Sequence, residues 1–250
     1  MLLSVVMPAH NVASVIRRCV EGVSLVASRL CRDYEIVVVD DGSTDGTYLV
    51  AKRLEHVLNP HLRVYRLPKN MGKGFALIYG FRKSRGDIIA FFDSDLDIDP
   101  LQLYVLVRVL EASGADAVIT SKWHPRSKVE ATALRKLLSH SFRGLVRAFL
   151  GLRLSDTQTG AKVFKRRVLE DVVPLLRVRR YAFDAELLAY VQRLGYRIVE
   201  VPALRSVKLG SCIRPVEIAR MLLDLLAVAY RLRLSPTSSY SAQSDSGKGS

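Results

Sequence analysis

Ile88-Ile89-Ala90-Phe91-Phe92-Asp93-Ser94-Asp95-Leu96-Asp97 decides the fold. Five apolar residues run without alternation into three carboxylates at a spacing of two. A strand with one wet face would alternate; an uninterrupted apolar run is what a strand covered on both faces of a parallel sheet requires. Ile36-Val37-Val38-Val39 is a second such run, and it too ends in acid, at Asp40-Asp41. Around these two, residues 2–7, 35–39, 63–66, 87–92 and 115–120 read as strands, and residues near 12–30, 45–57, 73–84 and 100–112 as helices. Strand–helix alternation of this kind predicts a doubly wound α/β domain. Ligands in such sheets sit beyond the carboxyl ends of the strands. Pro8-Ala9-His10-Asn11, the segment 40–44 and the segment 93–97 therefore share one rim, because each directly follows a strand.

Outward from that core the texture changes. Residues 131–150 form a basic amphipathic helix candidate, with Arg135, Lys136, Arg143 and Arg147 set against Leu134, Leu137, Leu138, Phe142, Leu145, Val146 and Phe149. Such a helix suits a membrane interface, and equally a core-packing helix with a solvated basic face. A polar loop over 155–165 leads to a short strand, and a helix over 181–194 ends at Gly195 as a C-cap. A strand over 196–201 stops at Pro202, and a last helix runs from about 215 to 232. That helix is too short to span a membrane; it packs on lipid or on a partner protein, a second copy of the chain included. The tail, 235–250, is Ser/Gly-rich and reads as disordered.

The chain has 250 residues, 49% of them apolar, which is enough for one sizeable α/β domain and excludes disorder of the whole. A net charge of +14 calls for an anionic partner. Between Lys122 and Arg180 alone the net is +11, so the excess sits in the second half. Nucleic acid is set aside, because no recognition motif appears and the basic residues do not interleave with aromatics. Cys19, Cys31 and Cys212 match no metal or redox spacing and read as inert thiols in a reducing compartment. No stretch reaches the ~18 apolar residues of a membrane span, and Met1–Met7 lacks the basic start of a signal peptide. The expectation is a cytoplasmic protein, soluble or peripheral on a membrane face.

Three clusters carry chemistry. Asp93, Asp95 and Asp97 would repel one another without a cation, and hard divalent ions take carboxylate oxygens while keeping positions open for phosphate. Asp40-Asp41-Gly42-Ser43-Thr44 offers carboxylates to a base N–H and to ribose hydroxyls. Asn70-Met71-Gly72-Lys73-Gly74 brings glycines, a helix N-terminus and a lysine to an anion, although it is no Walker A loop. A capped turn explains each of them about as well when taken singly. Together they are an inventory for a nucleotide diphosphate.

The stretches VVMPAHN, IVVVDDGSTDGT, NMGKGFAL, GDIIAFFDSDLD, SDTQTGAKVFKR and RRYAFDAELLAYVQRLGYRIVEVP, over about 4–202, resemble family-2 glycosyltransferases of the GT-A fold. Within that family they resemble the dolichol-phosphate mannose synthase and dolichyl-phosphate glucosyltransferase group. The resemblance implies a mixed, mainly parallel sheet flanked by helices, with C-terminal amphipathic helices. It divides the chain into a domain over 1–210, with a nucleotide-binding half to 121 and an acceptor half from 122, followed by an amphipathic helix over 211–234. It implies that Pro8, Ala9, His10, Asn11, Asp40 and Asp41 hold the nucleoside, with Lys73, Asp93 and Ser94 completing the nucleotide-sugar contacts. Asp93, Asp95 and Asp97 would hold Mg2+ or Mn2+. Lys122, Arg135, Ser139 and Gln158 would bind an acceptor phosphate, with Asp156 and Thr157 in the same loop. Asp95, Lys122 and Asp184 would be the catalytic set.

Two departures fall on the nucleotide contacts: His10 replaces an aromatic residue and Val12 a glutamate. The implied activity is inverting, metal-dependent transfer of a hexose from GDP-mannose or UDP-glucose to a polyprenyl or dolichyl phosphate at the cytoplasmic membrane face. Transfer to a saccharide or protein hydroxyl is the alternative, and a non-catalytic nucleotide-sugar or lipid binder is a second of a different class.

Overall fold

The structure, a computed structural model, describes residues 1–127, 143–180, 182–204 and 215–234. Strands β1 (Leu3–Ala9), β2 (Tyr34–Asp40), β3 (Leu62–Arg66) and β4 (Ile88–Phe92) alternate with helices α1 (Ile16–Leu30), α2 (Thr47–Val57), α3 (Lys73–Lys83) and α4 (Leu101–Ser113). The chain continues through β5 (Ala117–Ser121), a helix α5 over 143–150, β6 (Ala161–Lys165), α6 (Arg166–Val172), α7 (Phe183–Arg193), β7 (Ile198–Pro202) and α8 (Pro215–Leu234). The seven strands form one sheet in the order β3-β2-β1-β4-β6-β5-β7. Only β6 runs antiparallel to its neighbours, β4 and β5.

The unbroken apolar runs are explained by where alternate residues go. Ile36 and Val38 enter the core beneath α1 and α4, while Val37 and Val39 face Ala76 of α3. In β4, Ile88, Ala90 and Phe92 join the first core; Ile89 and Phe91 join a second one built with α3, α6, α7 and α8. Both runs are buried on both faces, which is why their apolar residues do not alternate with polar ones.

β1 is longer than expected and takes in Pro8 and Ala9, which pair with Val39 and Asp40. Its ladder with β4 ends at Val6, before the proline, whose missing N–H would break a central strand. The first helix begins at Ile16 and not near residue 12. The intervening backbone is taken by the next loop: Asn11 N donates to Ser43 Oγ (3.0 Å), Val12 N to Thr47 Oγ1 (2.8 Å) and Ala13 N to Asp45 Oδ2 (2.9 Å). Of the basic helix expected over 131–150, residues 131–142, with Arg135 and Ser139, lie outside the described residues, as do Cys212 and the tail. The described part packs inward: Val146 is buried, and Leu145 and Phe149 lie against the second core.

Candidate active site

The acidic run begins where β4 stops. Asp93 N donates to Gly160 O (2.8 Å) and Ser94 Oγ to Pro8 O (2.6 Å), which fixes the run between the end of β1 and the loop before β6. Leu96 sits at φ +62°, a left-handed conformation that costs a branched residue about 1–2 kcal/mol. The turn it makes lets Asp97 N donate to Asp95 Oδ1 (2.9 Å) and sends the Asp97 carboxylate to the ammonium of Lys122.

Lysines and carboxylates then alternate across the rim. Lys73, the first residue of α3, places Nζ 2.8 Å from Asp93 Oδ2 and 3.6 Å from Asp184 Oδ2. The other Asp184 oxygen accepts from Lys162 Nζ at 2.8 Å. Lys162 is 2% exposed and also donates to Thr159 O. Burial pushes the Asp184 carboxyl up, but Lys162 and Lys73 outweigh it and hold the group below its ordinary value. Asp93 ends on the other side. Burial raises it, Lys73 pulls it down and Asp95 pushes it up again, and the net is a carboxyl held above its usual range. The Asp93 end of the cluster is therefore short of positive charge, and the Lys73 ammonium stands where a cation is wanted.

Those observations fit a hard divalent cation held by Asp93 and Asp95. A three-carboxylate cage is not formed: among the described residues no group of three or more His, Cys, Asp or Glu converges at metal-binding spacing. Asp97 is turned away toward Lys122.

Gly160 fixes the seat of Asp93. A Cβ there would lie 2.1 Å from Asp93 Oδ2 and 2.4 Å from its Cγ. Gly160→Ala is expected to push that carboxylate out of place and lower kcat/KM by about 100-fold, the scale of an ångström misplacement. Steady-state assay of the folded variant checks this; activity within threefold of wild type would show that the seat has slack.

The other two clusters, after β2 and before α3, build the rest of the rim. Asp41 spends both oxygens on the glycine loop, accepting from Met71 N (2.6 Å) and Gly72 N (2.9 Å). Gly72, at φ +98°, has the Arg179 carbonyl only 2.4 Å from where a Cβ would be, so only glycine fits. Asp40 is fully buried; Ser43 N reaches its Oδ1 at 3.4 Å, and Oδ2 faces Arg66 Nε at 3.2 Å without a hydrogen bond. Beside it lies a cavity of about 520 Å³ lined by Gly42, Ser43, Thr44, Arg66, Leu67 and Pro68. His10 spans the loops, Nδ1 on Asp41 O (2.9 Å) and Nε2 on Asn70 Nδ2 (3.1 Å), while Asn11 Oδ1 accepts from Thr44 N (3.0 Å).

The loop before β6 hangs from Glu200, which accepts from Ser155 N (2.8 Å) and Ser155 Oγ (2.9 Å). Asp156 then accepts from Lys122 N (3.1 Å) and Gln158 N (2.9 Å). Gln158 Nε2 is buried with no partner among the described residues, a donor without an acceptor.

Sequence reasoning missed Lys162, Arg66 and Glu200. Lys162 sits in Ala-Lys-Val-Phe-Lys, where a lysine in a short strand reads as solvent-facing; only its burial beside Asp184 gives it a role. Cys19 lies directly under the site, its thiol donating to Asp93 O (3.6 Å), and burial pushes it up to about 12, which leaves it inert.

The strand order and the antiparallel β6 are those of a GT-A fold, shared with the solved structure described below. The chain belongs to glycosyl transferase family 2, whose model matches residues 4–173. It is 35% identical over 80% of its length to glycosyltransferase AglD of Haloferax volcanii, of which it spans 32%. It is 32% identical over 80% of its length to a dolichyl-phosphate beta-glucosyltransferase of Trichomonas vaginalis, of which it spans 61%. The chain thus covers less than two thirds of either relative. Among solved structures it is similar to glucosyl-3-phosphoglycerate synthase from Mycobacterium tuberculosis in complex with Mn2+ and UDP-glucose. The TM-score there is 0.67 at 26% identity, covering 95% of this chain and 80% of that one.

Proposed function

We propose that this protein transfers a hexose from a nucleotide-sugar to a polyprenyl or dolichyl phosphate, with inversion at the anomeric carbon. The observation that carries the reading is the Asp93–Lys73–Asp184–Lys162 chain on the sheet rim. A carboxylate clamped between two ammonium groups and held below its ordinary value is a poor general base. Transfer to a sugar or protein hydroxyl needs such a base. A phosphomonoester does not, because its second pKa is about 6 and it is already largely ionised near neutrality. The names of the dolichyl-phosphate relatives point to the same acceptor class.

In this reading an acceptor phosphate oxygen attacks C1 of the sugar, the bond from C1 to the diphosphate oxygen breaks, and the nucleoside diphosphate leaves. Asp93 and Asp95 would hold Mg2+ or Mn2+, which supplies Lewis-acid stabilisation of the leaving diphosphate. Lys73 moves from Asp93 to the diphosphate, and Asp184 keeps Lys73 and Lys162 in register. Ser94 ties the run to Pro8, and Asp97 holds Lys122 at the acceptor side. Lys122 and Gln158, together with Arg135 and Ser139, bind the acceptor phosphate; the buried free amide of Gln158 supports this assignment.

For the donor, the site favours a uridine nucleotide over a guanosine one. Guanine offers two adjacent donors and asks for a bidentate carboxylate. Asp40 has one oxygen without a hydrogen bond, with Arg66 beside it, which suits a single uracil N–H flanked by carbonyls. Pro8, Ala9, His10 and Asn11 close the nucleoside side, and Asp41 acts through the glycine loop.

Membrane attachment would be peripheral. No described helix is long and apolar enough to cross a bilayer. α8 buries Leu225, Val228 and Leu232 but leaves Leu223 and Tyr230 about two thirds exposed, an apolar outer face beside a basic chain. The enzyme would work on the cytoplasmic face; self-association through the same helix is the competing outcome.

Membranes supplying dolichyl phosphate, Mn2+ and radiolabelled UDP-glucose or GDP-mannose test the whole reading. Lipid-extractable label from UDP-glucose is expected, at least tenfold above that from GDP-mannose. Label confined to the aqueous phase would overturn the acceptor, and the reverse donor preference would overturn the Asp40 argument.

A further inference from the structure

Glu186 lies two residues beyond Asp184 in the first turn of α7, and it is fully buried. Among the described residues, its hydrogen-bond partners include none of the groups that would meet substrate. Its Oε2 accepts from the backbone of the preceding loop, Arg177 N at 3.0 Å and Val178 N at 2.7 Å. Its Oε1 accepts from Arg231 NH2 at 2.6 Å, which reaches in from the last turn of α8. One carboxylate therefore joins α7, the loop over 176–180 and α8. Two backbone amides and a guanidinium saturate it with charge-assisted bonds, among the stronger a protein makes.

The next residue of that loop faces the candidate active site. Arg179 O accepts from Gly74 N at 2.9 Å, at the start of α3. It also lies against Gly72, where even a Cβ would come within 2.4 Å, and the Arg179 guanidinium covers the Phe75 ring at 5.3 Å. From the α7 side, the Phe183 ring closes on Gly74, 2.5 Å from where a Cβ would stand. Lys73 is held between these contacts, and its reach to Asp93 and Asp184 depends on where they put the helix start.

We propose that Glu186 and Arg231 are positioning residues: they lock the 176–180 loop so that the Arg179 carbonyl sets the first turn of α3 and aims Lys73 at the nucleotide diphosphate. α8, the helix with the apolar outer face, is thereby wired to the donor side of the site and not to the acceptor loop, which hangs from Glu200. This rests on the assignment of Lys73 to the diphosphate, and the experiment separates the two.

The full chain is prepared as wild type, Lys73→Met, Glu186→Gln, Arg231→Met and Arg231→Lys. UDP affinity in Mn2+ is measured by calorimetry, and kcat and KM are measured for donor and acceptor separately. Glutamine keeps one acceptor where three donors converge, so Glu186→Gln is expected to weaken UDP binding and raise donor KM by about tenfold, the scale of one lost charge-assisted bond. Acceptor KM is expected to stay within twofold. Arg231→Met shifts the same quantities in the same direction, by about threefold to tenfold, and Arg231→Lys restores most of the loss. A purely structural role would lower thermal stability and leave both KM values of the folded protein where they were; that outcome overturns the proposal. Where Glu186→Gln does not fold, Arg231→Met decides, because its side chain is one third exposed and lies at the helix surface. Unchanged UDP affinity in Lys73→Met would sink the Lys73 assignment itself. Weakened binding there with wild-type behaviour in both Glu186→Gln and Arg231→Met would sink the relay alone.

Discussion

Asp93→Asn is expected to lower kcat/KM by about 1000-fold, because under the proposed function it removes a carboxylate that would hold the divalent cation at the leaving diphosphate. The loss is expected in kcat, with the variant folded and its melting temperature close to wild type. Stability should hold because Asp93 is crowded by Asp95 and Asp184, and its carboxyl is already held above its ordinary value. Neutralising a carboxylate in such company relieves repulsion as well as breaking the Lys73 pair. Titration with Mn2+, followed by the spin signal of the free ion, provides the check: the variant should fail to retain Mn2+ with UDP at concentrations that saturate wild type. Activity within tenfold of wild type, or full Mn2+ retention, would move the metal site elsewhere.

Asp184→Asn is expected to act on stability first. Lys162 is 2% exposed, and its ammonium meets Asp184 at 2.8 Å. Removing one partner of a buried pair leaves the other charge uncompensated, at about 3–5 kcal/mol. For a chain of this size that is a drop of roughly 10 °C in melting temperature. The pH dependence follows from the direction of the shift. The folded carboxyl is held below its unfolded value, so its contribution is fully present above about pH 4 and is lost as pH falls through the lower folded value. The gap between wild type and Asp184→Asn should therefore be complete at neutral pH and narrow in acid. Activity should fall too, with the shape of the pH–rate profile above about pH 5 preserved. An acid limb near neutrality that disappears in the variant would make Asp184 a base and favour a hydroxyl acceptor.

Much of this was legible in the residues. The runs Ile36–Val39 and Ile88–Phe92 announce a sheet covered on both faces, and helices packed on both sides of that sheet bear this out. The rim placement of Pro8–Asn11, Asp40–Thr44 and Asp93–Asp97 followed from strand ends alone, and Lys73 does meet Asp93 there. The antiparallel insertion of β6 between β4 and β5 left no mark in the alternation pattern, because a short buried strand reads the same in either direction. The start of α1 was misplaced because side chains 32 to 35 residues away, on the β2 loop, claim the amides of Asn11, Val12 and Ala13.

Charge shows the division most clearly. The sequence alone located an excess of +11 between Lys122 and Arg180 and took it as a surface built for anions. The tertiary structure turns part of it inward, Lys162 onto Asp184 and Lys122 onto Asp97, and pairs Lys165 and Arg167 with Asp116 nearer the surface. Apolar pattern is a local property, since burial of a strand is written in its own residues, and so the sequence determined the sheet and the rim. Pairing of charges is decided by which strand lies beside which, and that belongs to the fold. The acidic run after β4 is visible in one dimension; the lysines that neutralise it, and the carboxylates that position them, come together only in three.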